Sequence, residues 1–287
     1  MKILLGRNDV DPNQLLGSGQ TALGWVASEG CEGEVKILLE RDDVNPNQPD
    51  KFDRTPLWWA TRMGNRAVVE MLLRRDDIDI KQPSESSVNP LLHAVASKQE
   101  GVEKTLLGRD DIDVNKPDKS GDTPLLGAVL CLWEGMVKTL LGRDDNDVNK
   151  PNEFGETPLG WAAKNGHAGI VEILLERDDV NPNRPDKCDR TPLWCAAGNG
   201  HGKVGEMLFG RGDINPEKPD IYHRTPLLCA SWNGHERVVK TLLGRGDVSP
   251  DKPDKYGKTP LFYATRLGHA GVVALLQPRV SATPSTA

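Results

Sequence analysis

The chain has 287 residues, of which 37% are hydrophobic, and a formal net charge of −6. Mixed signs with a slight acidic excess give no electrostatic support to nucleic-acid or anionic-membrane partners, and no apolar run approaches the ~18 residues that a membrane span needs. Five cysteines, an odd number without metal-type spacing, suit a reducing compartment: the cytoplasm, with the nucleus also open.

In chain order, Met1–Arg7 aligns with Val35–Arg41, the end of a second helix, so the chain is expected to begin inside a repeat. Its apolar stretch Ile3-Leu4-Leu5 is too short for a secretory signal. A 34-residue period then runs from Thr21 through Thr55, Asn89, Thr123, Thr157, Thr191, Thr225 and Thr259. A leucine stands two places after each start, from Leu23 to Leu261, and another seventeen places after it, from Leu38 to Leu276. Such a period means one small unit stacked in a row, each unit touching its neighbours. Within a unit, Thr157 is suited to cap a helix, Pro158 to its first position, and Gly166 to its left-handed end. Ile170, Val171, Leu174 and Leu175 mark a second helix, closed by Arg177. The following Asp-, Asn- and Pro-rich segment 178–190 is an extended finger with turns. The first full unit is therefore predicted to hold helices near 22–29 and 32–40, with the pair repeated every 34 residues. The expected fold is an all-α, elongated solenoid of about eight units over residues 1–278.

Two copies depart from the frame. The third carries Ser84–Val88 and Lys98, and the fourth Leu130-Cys131-Leu132-Trp133, where sister copies have finger residues, polar residues and glycine. Both are expected to lack helix caps and the turn glycine, and the array is expected to open first around residues 84–140. At the far end Pro278 is expected to stop the last helix, leaving 279–287 as a disordered tail.

Thr191-Pro192-Leu193, Ala196-Ala197, Gly200-His201 and Leu242-Leu243 resemble the marks of the ankyrin repeat, over essentially the whole chain. Trp25, Trp59 and Trp161 with the Arg-Asp-Asp-Val-Asn-Pro run are similar to tandem arrays of large fungal ankyrin proteins. The resemblance implies a helix-turn-helix unit with an extended finger, and a protein partner met by finger tips and the exposed side of the first helix. Carried over by register, that surface includes Phe52, Arg54, Arg62, Phe154, Lys164, Arg190, Tyr222, Arg224, Trp232, Tyr256 and Arg266. Aromatics beside arginines have the composition of an interface hot spot, although finger-tip rings could also simply pack on the next finger.

Other chemistry finds weaker support. His167, His201, His235 and His269 are register-equivalent and so about 10 Å apart, too far to share a metal; they read as turn histidines bonded to local backbone. Cys195 and Cys229 are likewise one repeat apart and read as core thiols. Asp145–Glu156 mimics a calcium loop but has Lys150 where glycine is required. Arg211-Gly212-Asp213 and Arg245-Gly246-Asp247 are finger variants of Arg-Asp-Asp rather than adhesive signals. No cofactor or metal is implied. The expected role is a non-enzymatic, monomeric scaffold binding a protein partner; the alternative is a sensing segment of a larger signalling enzyme such as an NTPase.

Overall fold

A computed structural model describes residues 11–80 and 89–280, with side chains through residue 277. The expected helix end at Met1–Arg7, the Ser84–Val88 departure and the tail beyond Val280 lie outside the described residues. The described residues are all-helical and form a solenoid of paired helices. The pairs are α1 (Ala22–Glu29) and α2 (Glu32–Leu39), α3 (Pro56–Met63) and α4 (Arg66–Leu73), α5 (Pro90–Ala96) and α6 (Val102–Leu107), and α7 (Pro124–Leu130) and α8 (Glu134–Leu141). They continue as α9 (Pro158–Asn165) and α10 (Ala168–Leu175), α11 (Pro192–Gly198) and α12 (Gly202–Phe209), α13 (Pro226–Trp232) and α14 (Glu236–Leu243), and α15 (Pro260–Arg266) and α16 (Ala270–Val280).

Each first helix starts for the same reason. The side chain before it accepts a hydrogen bond from the third backbone N–H onward, as Thr157 does from Gly160 and Thr225 from Leu228. The third and fourth copies were expected to lack this cap, and they have it: Asn89 accepts from Leu92 N–H and Thr123 from Leu126 N–H. Asparagine caps as well as threonine because its amide oxygen sits at similar reach. What those two copies do lack is the turn glycine, and the backbone keeps its path regardless. Lys98 and Leu132 adopt φ of 49° and 53°, where Gly166 has 75°. A second expectation fails at the far end, where α16 continues past Pro278 to Val280. The proline's fixed φ is compatible with a helix, so the last turn can include it even though it removes one N–H bond.

By contacts the chain forms two compact units, Met1–Met136 and Val137–Ala287. In the first, α1, α3, α5 and α7 pack in succession, and so do α2, α4 and α6. In the second, α9, α11, α13 and α15 form one row and α10, α12, α14 and α16 the other. Small residues in the first helix let the rows approach, as Ala162, Ala163, Ala196, Ala197 and Ala230 are buried beside Leu159, Leu193, Leu227 and Leu242.

Two polar ladders tie successive fingers within each unit. The asparagine eight places before a cap bridges to the next finger in both directions. Asn183 Nδ2 donates to Asp213 O at 2.6 Å while its Oδ1 accepts from Asn215 N–H at 2.7 Å. Asn13, Asn47 and Asn149 do the same one period apart. The arginine ending each second helix forms the other ladder. Arg177 holds Asp179 through Nε and Nη2 at 2.9 and 2.7 Å and donates from Nη1 to Leu141 O. Arg75 and Arg109 reach Leu39 O and Leu73 O in the same way. A planar guanidinium suits this double role, since two of its edges can be satisfied at once.

Candidate functional site

Six of the described fingers end in a turn organised by one carboxylate or amide, at Asp50, Asp118, Asn152, Asp186, Asp220 and Asp254. Asp220 Oδ1 accepts the N–H groups of Tyr222 and Arg224, both at 2.9 Å, and its backbone N–H donates to Arg224 O. The turn presents the residue two places past Asp220 at its tip and returns Arg224 over the acid. Arg224, Arg190 and Arg54 then pair with Asp220, Asp186 and Asp50 through Oδ2. The hydrogen bond to Asp186 holds the Arg190 pKa above its ordinary value against the opposing effect of burial. These three arginines are thus fixed in place, about a quarter to a third exposed.

In the second unit the fixed arginine gathers rings around itself. Arg224 lies over Tyr222 at 4.8 Å, Trp194 at 5.5 Å and Trp232 at 5.8 Å. Trp194 Nε1 donates to Arg224 O at 2.8 Å, and Arg190 approaches the far side of the group, 5.7 Å from the Trp194 ring. Lys255 from the next finger bridges Tyr222 and Tyr256, at 4.2 and 5.0 Å from their rings. So Arg190, Tyr222, Arg224, Trp232 and Tyr256 come together. Trp232 is 36% exposed, yet it has a neighbour, stacking on Tyr263 at 4.3 Å between centroids. Tyr263 is itself anchored, donating its hydroxyl to Asp254 Oδ2 at 2.7 Å, and burial followed by that bond pushes its pKa up to about 12. Lys164 is engaged differently, paired with Glu156 at 2.7 Å. Phe154 projects from its turn 67% exposed, and Arg266 is also exposed.

In the first unit Phe52, Arg54 and Arg62 surround two tryptophans. Arg54 lies 4.5 Å from the Phe52 ring and 4.3 Å from Trp59, whose Nε1 donates to Asp50 at 3.1 Å. Arg62 sits 5.2 Å from the Trp58 ring. The rings Trp58, Trp194 and Tyr263 and the bridging Lys255 were missed as members of this surface. Trp58 and Trp194 share one register position, three places after the cap, and that equivalence was the available signal.

The remaining candidates have structural roles. His201, His235 and His269 approach the carbonyls of Lys164, Gly198 and Trp232 through Nε2 at 3.1, 3.0 and 2.9 Å. These bonds reach back one repeat rather than locally, which corrects the sequence reading. A Cβ on Gly166 would come 2.5 Å from the His201 ring, so glycine is needed there for the approach as well as for φ. Burial pushes the Cys195 and Cys229 thiols up to about 12, away from thiolate chemistry. Asp145 is held by Arg143, and Asn149 bridges to the next finger. Arg211 and Arg245 are paired with Asp213 and Asp247 of their own tripeptides. No helix among the described residues is long and apolar enough to cross a membrane.

A family model for ankyrin repeats, in three copies, matches residues 1–84, 128–220 and 213–284. No curated protein matches the chain.

Proposed function

The chain belongs to the ankyrin-repeat family, whose repeats are generally protein–protein interaction modules, and on that premise we propose that it is a non-enzymatic scaffold binding a protein partner through finger tips and first-helix faces. The observation that supports this most is the group of rings around Arg224. Aromatic side chains with a fixed guanidinium offer large contact area with little ordering cost on binding. Their backbone turns are set by Asp220 and Asp254 before any partner arrives. The proposed contacts are Arg190, Tyr222, Arg224, Trp232, Tyr256 and Arg266, flanked by Phe154 and Lys164, with Phe52, Arg54 and Arg62 as the corresponding set in the first unit.

Affinity capture from the native cell extract tests this reading. The wild-type chain should retain a defined protein, and a Phe154→Ala, Tyr222→Ala, Tyr256→Ala triple variant should lose it while keeping its helical circular dichroism. Undiminished capture by the triple variant would place the contact elsewhere.

A further inference from the structure

Where a described finger turn is built on an aspartate, a side chain of the same copy meets its second oxygen, and the fourth copy departs from this. The second, sixth and seventh copies carry Asp50 with Arg54, Asp186 with Arg190, and Asp220 with Arg224, and the guanidinium meets Oδ2 at 2.8, 2.6 and 2.5 Å. In the fifth copy the turn residue is the neutral Asn152, and Glu156 is held by Lys164. In the eighth, Asp254 Oδ2 accepts from the Tyr263 hydroxyl, and Lys258 precedes the cap. The fourth copy has Asp118 and Asp122 at these two places and Leu130 where Lys164 stands in the fifth, so it carries two carboxylates and none of the sister cations. Asp118 Oδ1 accepts from Ser120 and Asp122 N–H at 2.9 Å each. Among the described residues no side chain donates to its Oδ2.

The same copy also lacks the ring that reaches this oxygen elsewhere. Trp59 Nε1 and Tyr263 Oη donate to their carboxylates, and the equivalent residue here is Gly127. The outcome is a groove of about 320 Å³, lined by Trp58, Leu92 and Leu130 together with Asp118, Asp122 and Arg62. Its one guanidinium, Arg62, already lies against Trp58 and His93. His93 adds no charge at neutral pH, because burial and then Arg62 hold its pKa below the usual imidazole value. The wall also contains an unmet donor, the buried Trp58 Nε1–H. An apolar floor with an acidic edge fits one kind of side chain. It needs a methylene stem and a cationic end, and the sister copies show that a planar guanidinium matches the carboxylate at this place.

We propose that this groove receives an arginine side chain of the protein partner, its guanidinium on Asp118 and its stem along Leu130 and Trp58. The inference rests on the protein-recognition reading and names the chemistry of the segment recognised.

The test is a nuclear magnetic resonance titration of the full chain with N-acetyl-leucyl-arginine amide, against the citrulline analogue, which keeps the shape and loses the charge. The arginine probe should give saturable shifts confined to residues 58–62, 92–96 and 118–131. Binding should be at least about tenfold weaker for the citrulline probe and for Asp118→Asn, the loss expected when a charge-assisted pair is removed. Asparagine keeps the turn, since Asn152 accepts the same two N–H groups at 3.0 Å in the fifth copy. A second variant, Asp122→Arg, places the sister guanidinium beside Asp118 and should block the probe. No saturable shift with the arginine probe, equal binding of citrulline, or unchanged affinity in Asp118→Asn would overturn the proposal. Capture through Phe154, Tyr222 and Tyr256 is read independently, so the broader function can stand if this groove fails.

Discussion

At Lys98 and Leu132 the backbone enters the left-handed region that six sister copies fill with glycine. A Cβ there costs roughly 1–2 kcal/mol, partly offset because glycine loses more freedom on folding. Lys98→Gly and Leu132→Gly should each stabilise the chain by about 1 kcal/mol in urea denaturation, and an unchanged midpoint would show that the surroundings absorb the strain. Two buried polar residues point the same way. Asn146 is 5% exposed with neither amide atom partnered, in the slot filled elsewhere by Ile112 and Val180. Glu103 is 2% exposed with Oε2 unpartnered, where Val69 and Val137 stand in neighbouring copies. An unmet buried polar group costs about 1–3 kcal/mol, so Asn146→Val and Glu103→Val should each raise the thermal midpoint. A fall in either would mean that the pocket around it is shaped for the polar side chain.

The helices are too short to persist alone in water; their buried apolar faces hold them together, and the two ladders add polar ties between neighbours. The arginine ladder carries a pH signature. Hydrogen bonds from Arg75, Arg143 and Arg177 hold the Asp77, Asp145 and Asp179 carboxyls below their ordinary value. A depressed folded pKa gives stability that is present above the unfolded value, near 4, and lost as pH falls through the lower folded value. The thermal midpoint should therefore drop as pH is taken below about 4, and Asp179→Asn should remove part of that slope. A slope identical in the variant would leave the pair without energetic weight, as is common for exposed ion pairs. The asparagine ladder predicts a further loss: Asn183→Ala removes two bonds to the next finger and should cost about 1 kcal/mol or somewhat more.

Across the molecule, the 34-residue frame was legible because each copy repeats a local mechanism: a capping hydroxyl, a proline, a small-residue helix and a glycine turn. Thr157, Pro158 and Gly166 do in three dimensions what their chemistry suggests. The ladders were written in the same register, in Asn13, Asn47, Asn149 and Asn183 and in Arg75, Arg109 and Arg177. Their meaning depends on what lies one repeat away, and a single copy does not disclose that. The histidine bonds to the preceding repeat escaped for the same reason, whereas the Asn89 cap and the gap at Gly127 are local, and the sequence reading missed them by taking departure from the Thr and Trp consensus as loss of the feature. The expectation of a weak region loses one of its two grounds, because Asn89 and Thr123 do cap their helices. Lys98, Glu103 and Leu132 remain as grounds to expect one, and hydrogen exchange should then be faster over residues 89–132 than over 157–243. Equal protection in both stretches would contradict that assignment. The ring group around Arg224 bears on the central claim, that this chain recognises a protein through a surface fixed in advance. Trp232→Ala tests it most directly, by calorimetric titration with the captured partner alongside thermal unfolding of the variant. Affinity should fall by about 2 kcal/mol or more, while stability falls by no more than about 1 kcal/mol, the worth of the lost stack on Tyr263. Wild-type affinity, or a stability loss of several kcal/mol that accounts for the weaker binding, would contradict it.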